Sequence, residues 1–163
     1  MELSTPDLVK TLEQAKTDGN RYFQEGRIAE AVAAYEKGVD LLEDLLPSSL
    51  GEEVRKPAVA IYCNAAHALL KGAALEGQPA EQACAMANKA LALEPANVKA
   101  RFRRGCANAL LENFSLAAAD FRYVLKQEPC NDAARQELEK AQELLRVSFE
   151  DLMRAAESFK AEG

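Results

Sequence analysis

Residues 98–131, VKARFRRGCANALLENFSLAAADFRYVLKQEPCN, have the spacing of two short helices that cross closely. Counting from the start of this stretch, the small residues Gly105 and Ala117 occupy positions eight and twenty, and Phe121 occupies position twenty-four. Small side chains allow two helix axes to approach each other. Pro129, at position thirty-two, ends the second helix because proline lacks an amide hydrogen and clashes with the preceding turn. The stretch therefore predicts a helical hairpin.

Two earlier stretches, residues 12–45 and 59–97, fit the same spacing. The second of them needs five extra residues, which we place in the turn KGAALEGQP at residues 71–79, where glycine and proline tolerate an insertion. The chain is therefore predicted to contain three successive helical hairpins. The small residues at the two crossing positions are Gly19 and Ala31 in the first hairpin and Ala66 and Ala83 in the second.

The ends of the first two helices have clear signals. Thr5 is predicted to cap the first helix, with Pro6 at its first position, and Gly26 to end it. The second helix is predicted to run from about residue 28 to residue 46 and to stop at Pro47.

The sequence offers two possible starts for the third helix. Ser49 and Glu52 have the spacing of a capping box, whereas Pro57 either kinks this helix or marks its true first turn. Further along, Pro79 is predicted to open the fourth helix and Asn131 to cap the seventh.

The composition favours an all-α fold. Hydrophobic residues make up 48% of the 163 residues, and they are mainly alanine and leucine, with no tryptophan. The apolar stretches are too short for a membrane span, and no charged-then-apolar leader opens the sequence, so we expect a cytoplasmic protein. The net charge of −6 argues against general binding of nucleic acid.

The cysteines and the single histidine are not grouped as the ligands of a metal centre would be. A single histidine, His67, cannot build a histidine-based metal site, and no Gly-rich phosphate loop is present. We therefore expect no metal, no cofactor and no catalytic residue. The cysteines stand singly and are predicted to be small core residues in a reduced compartment: Cys63, Cys84, Cys106 and Cys130.

One domain is predicted over residues 1–146, formed by the three hairpins and a capping helix that begins at residue 132. The apolar rhythm continues beyond it, so residues 147–163 are predicted to form a helical extension that projects past the repeats. We expect this extension to self-associate or to pack on a domain outside this chain. Its mixed charges are weaker support for a membrane-surface or calmodulin-type segment.

The first helix of each hairpin carries hydrogen-bond donors at same-face spacing. Any one pair is explained by an exposed helix face, but donors on all three helices of an acidic protein indicate a binding groove. Lysine, arginine and asparagine donors suit carboxylates, and a rigid set can hold two carboxylates at once. The donors are Lys16 and Asn20 in the first hairpin, Asn64, His67 and Lys71 in the second, and Lys99 and Arg103 in the third.

With these spacings, residues 8–146 resemble three tetratricopeptide (TPR) repeats followed by a seventh helix. The resemblance implies a right-handed superhelix whose concave face is lined by the first helix of each repeat. The run VKARFRRG…ADFRYVL is most similar to the TPR domains of FKBP-type and cyclophilin-type immunophilins.

The resemblance also implies a partner. TPR domains of co-chaperones bind the C-terminal Glu-Glu-Val-Asp tail of heat-shock proteins 90 and 70 through a two-carboxylate clamp. The family's clamp positions fall on five residues of this chain, which we call the clamp residues. They are Lys16, Asn20, Asn64, Lys99 and Arg103, with Phe23, His67 and Lys71 as further expected peptide contacts.

The resulting prediction is a non-catalytic, co-chaperone-type interaction module. Two alternatives stay open from the sequence. The groove of a TPR scaffold can instead bind an internal peptide or a globular partner. The chain can also be the regulatory TPR part of a larger enzyme, such as a peptidyl-prolyl isomerase, whose catalytic domain lies outside it.

Overall fold

The structure is a computed structural model that describes residues 4–43, 45, 49–72 and 78–161. Within these ranges the chain forms seven helices and no strands, which confirms the all-α prediction. The helices are α1 (Thr5–Gln24), α2 (Ile28–Glu43), α3 (Glu52–Lys71), α4 (Pro79–Leu93), α5 (Val98–Leu110), α6 (Phe114–Gln127) and α7 (Asp132–Ala161).

Consecutive helices pack as three hairpins, α1–α2, α3–α4 and α5–α6, with α7 packed on α6. Helices α1, α3 and α5 also contact one another in order, and we call them the first-helix layer. Helices α2 and α4 each pack between two members of this layer. Side chains on α1, α3 and α5 are thereby brought to one continuous surface.

Two glycines allow the helices of a hairpin to cross closely. A Cβ atom at Gly19 would collide with the ring of Tyr35, and one at Gly105 would lie 2.7 Å from Cε1 of Phe121. Tyr35 and Phe121 are among the largest fully buried side chains. The glycine at position eight therefore leaves room for the aromatic ring at position twenty-four, as the repeat spacing predicts.

Two predicted helix ends need correction. Ser4, not Thr5, caps α1, since the Ser4 hydroxyl accepts from the amide of Asp7 and Thr5 is already helical. Helix α2 ends at Glu43, before the predicted residue 46. Pro47, the predicted stop, lies outside the described residues.

Helix α3 begins at Glu52, after Gly51, which occupies the N-cap position without a side-chain cap. Of the starts that the sequence left open, Ser49 is therefore not the N-cap of this helix. Pro57 lies inside α3, beyond its first turn, and is buried. Its missing amide hydrogen removes the bond that the carbonyl of Glu53 would otherwise accept.

Two other predicted helix starts are confirmed. Pro79 is the first residue of α4. The side chain of Asn131 accepts from the amide of Ala134 at 2.9 Å and so caps α7. The predicted insertion lies largely at residues 73–77, outside the described residues.

The first half of α7 is packed and the second half is not. Ala134 and Ala141 are fully buried against the repeats. Beyond Arg146 the exposed fraction is high even for large apolar side chains, 64% for Phe149 and 70% for Leu152. None of the described helices combines the length and apolar character that crossing a bilayer requires.

The cysteines differ in their surroundings. Cys63 is buried and Cys84 and Cys106 are half-buried, but Cys130 is exposed, so the prediction of a core position for Cys130 is wrong. It lies in the turn before α7, where the chain runs over the surface. Burial raises the pKa of the Cys106 thiol to about 12, which keeps this thiol protonated at neutral pH.

Candidate functional site

A pair of asparagines links the first helices of two repeats. Nδ2 of Asn64 on α3 donates to Oδ1 of Asn20 on α1 at 2.9 Å, and the hydroxyl of Tyr35 on α2 donates to the same oxygen at 2.7 Å. Oδ1 of Asn20 thus accepts two hydrogen bonds, the number its lone pairs allow. No acceptor among the described residues takes the Asn20 Nδ2 hydrogens, so this amide is available to a ligand.

Arg103 joins α5 to α3 beside this pair. Its Nη1 donates at 2.5 Å to the carbonyl of Cys63, the residue that precedes Asn64. Burial lowers the pKa of the Arg103 guanidinium, with smaller opposing contributions from Cys63 and Tyr35. The contact holds a half-buried positive charge next to the two asparagines while leaving other N–H groups of Arg103 free to donate.

Lys99 lies one turn before Arg103 on α5 and is exposed. The two side chains line a cavity of about 270 Å³ together with Phe102 and Glu128. Lys99 makes no ion pair with an acid among the described residues. Its charge is therefore available to an anionic ligand.

Lys16 is less free. Its ammonium group lies 2.5 Å from the Glu13 carboxylate, three residues earlier on α1, and both side chains are partly exposed. Exposed ion pairs of this kind contribute only about 0–1 kcal/mol. A ligand carboxylate can therefore replace Glu13 at low cost.

Two of the further predicted contacts stack on each other. The rings of Phe23 on α1 and His67 on α3 have centroids 4.8 Å apart and are tilted by 42°. Burial lowers the pKa of His67, and the positive charges of Arg103 and Lys71 lower it further. The imidazole is therefore neutral at pH 7 and forms part of the wall of the site.

The structure brings some predicted residues together and leaves others apart. Asn20 and Asn64 are hydrogen-bonded to each other. Arg103 is hydrogen-bonded to the backbone carbonyl of Cys63, the residue before Asn64. Lys16 has no described contact with the other clamp residues. Tyr35, which the sequence analysis did not single out, is buried and orients Asn20.

The described residues do not form a candidate metal site. No group of three histidine, cysteine, aspartate or glutamate side chains lies close enough there to hold a metal ion. The site is instead a set of hydrogen-bond donors from α1, α3 and α5. Such a set suits a ligand rich in acceptors.

Comparison with known sequences finds similarity to part of a peptidyl-prolyl cis-trans isomerase. Bovine peptidyl-prolyl cis-trans isomerase FKBP4 is 36% identical over 149 residues, which are 91% of this chain and 32% of FKBP4. The chain thus spans about a third of the length of the curated relatives it matches. No protein-family model matches the chain.

Solved structures share the fold. The C-terminal TPR-containing domain of a Plasmodium falciparum FK506-binding protein superposes with a TM-score of 0.81 at 19% identity, over 91% of this chain and 97% of that one. The first TPR of Spaghetti (RPAP3), solved with the HSP90 peptide SRMEEVD, has a TM-score of 0.67 at 29% identity, over 84% and 94% of the two chains.

The second TPR domain of human RPAP3, solved with the HSP70 peptide SGPTIEEVD, has a TM-score of 0.64 at 28% identity, over 82% and 96% of the chains. The helical hairpins and the closely crossing glycines agree with these similarities. The chain is therefore a tetratricopeptide-repeat domain, similar in sequence to part of FKBP4 and in structure to TPR domains that were solved with chaperone peptides.

Proposed function

We propose that this chain is a docking module for the C-terminal tail of heat-shock protein 90 or 70 class chaperones. The tail sequence Glu-Glu-Val-Asp ends in two carboxylates, its own terminus and the last aspartate side chain. The clamp residues would hold both. The observation that carries this proposal is the convergence of donors from α1, α3 and α5, with Asn20 bonded to Asn64 and Arg103 anchored beside them.

Charge supports the proposal. The whole chain has a net charge of −6, yet Lys99, Arg103 and Lys16 place positive groups on the first-helix layer. A negatively charged tail would be repelled by most of the surface and attracted to this layer. The two RPAP3 domains, which have similar structures, were solved with peptides ending in the same four residues.

The site is also partly pre-organised. Asn20 is fixed by Tyr35 and Asn64, and Arg103 is fixed by the Cys63 carbonyl, before any ligand arrives. Ordering a flexible peptide opposes binding, so side chains that are already in place reduce the total loss of freedom. We expect micromolar affinity, about −8 kcal/mol.

We propose that the chain itself catalyses no reaction and acts in the cytoplasm. Its single histidine, His67, stacks on Phe23. Since the chain matches only part of FKBP4, any isomerase activity would belong to sequence outside it. We expect no nucleic-acid partner, because the chain is acidic, with a net charge of −6.

Calorimetric titration of the full chain tests the function. SRMEEVD and SGPTIEEVD are the probes, and the reversed peptide DVEEMRS is the matched control, because it keeps the composition but ends in serine. We expect micromolar binding of at least one forward peptide and no measurable binding of the control. Failure of both forward peptides to bind, or equal binding of the reversed peptide, would rule the proposal out.

A further inference from the structure

A second polar cavity, of about 370 Å³, lies between α4, α5 and α6. We call it the α4–α6 pocket. On a helix with about 3.6 residues per turn, Arg101, Arg104 and Asn108 share one face of α5, whereas Lys99 and Arg103 lie on the other. A ligand in the α4–α6 pocket would therefore not meet the two clamp residues of this helix.

One arginine of the pocket is fully engaged. Arg104 donates through Nε and Nη2 to the two oxygens of Asp120, at 2.8 and 2.7 Å, and through Nη1 to Asn88 at 3.0 Å. Asp120 is only 3% exposed, so this fork of hydrogen bonds offsets the desolvation of its carboxylate. The Arg104–Asp120 pair is a structural element of the pocket wall.

The other arginine is only partly paired. Nη1 of Arg101 lies 3.5 Å from the Asp120 oxygen that Arg104 already holds, Nη2 donates to the carbonyl of Pro95 at 3.4 Å, and Nε is buried without an acceptor. The guanidinium group stacks over the ring of Tyr123, with 4.5 Å between its central carbon and the ring centroid. With two arginines and one aspartate, the walls keep one positive charge uncompensated.

Asn108 supplies an independent indication of a ligand. Its side chain lines the pocket, the residue is only 5% exposed, and its amide makes no hydrogen bond to the described residues. The Asn108 side chain is not among the fully buried polar atoms that lack a partner, so its amide faces the pocket interior. An acceptor bound in the pocket would satisfy this amide.

We propose that the α4–α6 pocket binds a small monocarboxylate between the Arg101 guanidinium and the Asn108 amide. One uncompensated positive charge matches a single negative charge, whereas a dianion would be repelled by Asp120. The remaining walls include Leu116, Cys84 and Ala119, which suit a short alkyl chain. Concave sites in which a few polar groups converge are typical of small-molecule pockets.

Butyrate is the probe, added to the isotope-labelled full chain at constant ionic strength. NMR follows the side-chain amide of Asn108 and the Nε–H groups of Arg101 and Arg104. We expect saturable shifts at these groups. Inorganic phosphate is the second probe, and tighter binding of phosphate than of butyrate would overturn the assignment to a monocarboxylate.

Variants locate the binding. Arg101→Gln should weaken butyrate roughly tenfold, the effect of losing one charge-assisted hydrogen bond. Arg122→Gln removes the same charge from an exposed position on α6 and should change nothing. The shifts should persist in Lys99→Glu, which separates this pocket from the clamp. Absent shifts, equal affinity in Arg101→Gln, or loss of the shifts in Lys99→Glu would overturn the proposal.

Discussion

Asn64 donates a hydrogen bond from its side-chain amide to Oδ1 of Asn20, across 44 residues of sequence and from one repeat to the next. Tyr35 donates to the same oxygen from the second helix of the first repeat. Together the two donors fix which way the Asn20 amide points. The free NH₂ group of Asn20 is therefore oriented by residues that need not touch a ligand.

Removing the Tyr35 hydroxyl should test this orientation. We expect Tyr35→Phe to lower the free energy of unfolding by about 0.5–1.5 kcal/mol, the net value of a hydrogen bond. Peptide affinity should fall about threefold. Without the Tyr35 hydroxyl the Asn20 side chain is less restrained in the free protein, so it loses more conformational freedom when the peptide binds. Tyr62→Phe is the control, because Tyr62 is also buried but its hydroxyl makes no hydrogen bond to the described residues. Equal peptide affinity in the two variants would contradict the role of Tyr35.

Reversing one charge of the clamp should abolish tail binding without unfolding the domain. Lys99 is exposed, so Lys99→Glu should change the free energy of unfolding by no more than about 0.5 kcal/mol. Binding should lose roughly 2–5 kcal/mol, because an attraction is replaced by a repulsion. Lys126→Glu makes the same charge change at an exposed site on α6. Calorimetry and thermal melting of both variants check this, and retained affinity in folded Lys99→Glu would exclude a clamp at this position.

His67 should report ligand binding through its own titration. Burial and nearby positive charges lower its pKa, so the free protein should titrate below the usual value of about 6.5. The stability contributed by neutral His67 is then present above about pH 6.5 and is lost as pH falls through the lower, folded pKa.

A bound carboxylate adds negative charge beside His67, so it should raise this pKa. Binding then takes up protons, and peptide affinity should increase as pH falls from 7 to about 6. NMR titration of the single imidazole, with and without SRMEEVD, measures both values. A pKa that stays the same or falls on peptide binding would place the peptide away from His67.

The exposed part of α7 should not contribute to tail binding. Deleting residues 147–163 removes Phe149, Leu152 and Met153, which are 49–70% exposed, and leaves the buried Ala141 in place. We expect unchanged peptide affinity and a loss of any self-association, as measured by calorimetry and analytical ultracentrifugation. Leu152→Glu in the full chain should reduce self-association in the same way. A truncated chain that unfolds would show that this segment stabilises the repeats.

The repeat spacing predicts most of the fold because close helix crossings depend on particular residues. Gly105 and Phe121 are sixteen positions apart in sequence, and the observed contact follows from the pattern. Helix starts are harder, since several residues near each start can cap. Ser4 caps α1 ahead of Thr5, and Gly51 precedes α3 although Ser49 had the better side chain.

The site was only partly predictable, for a different physical reason. Helical periodicity assigns residues to a face, so it predicts that Asn20 and Asn64 lie on the first-helix layer. It does not reveal contacts between helices, such as the bond from Arg103 to the carbonyl of Cys63, forty residues away. The pairing of Lys16 with Glu13 is local, and the three-residue spacing was a signal that could have revealed it.

The most direct test compares SRMEEVD as a free acid with the same peptide carrying a C-terminal amide, by calorimetry at one ionic strength. Amidation removes a negative charge and puts a donor where the clamp residues mainly donate. We predict at least tenfold weaker binding, about 1.4 kcal/mol, and a free-acid affinity that falls with added salt. Equal affinity of the two forms would contradict carboxylate recognition and would favour a scaffold that binds internal peptides.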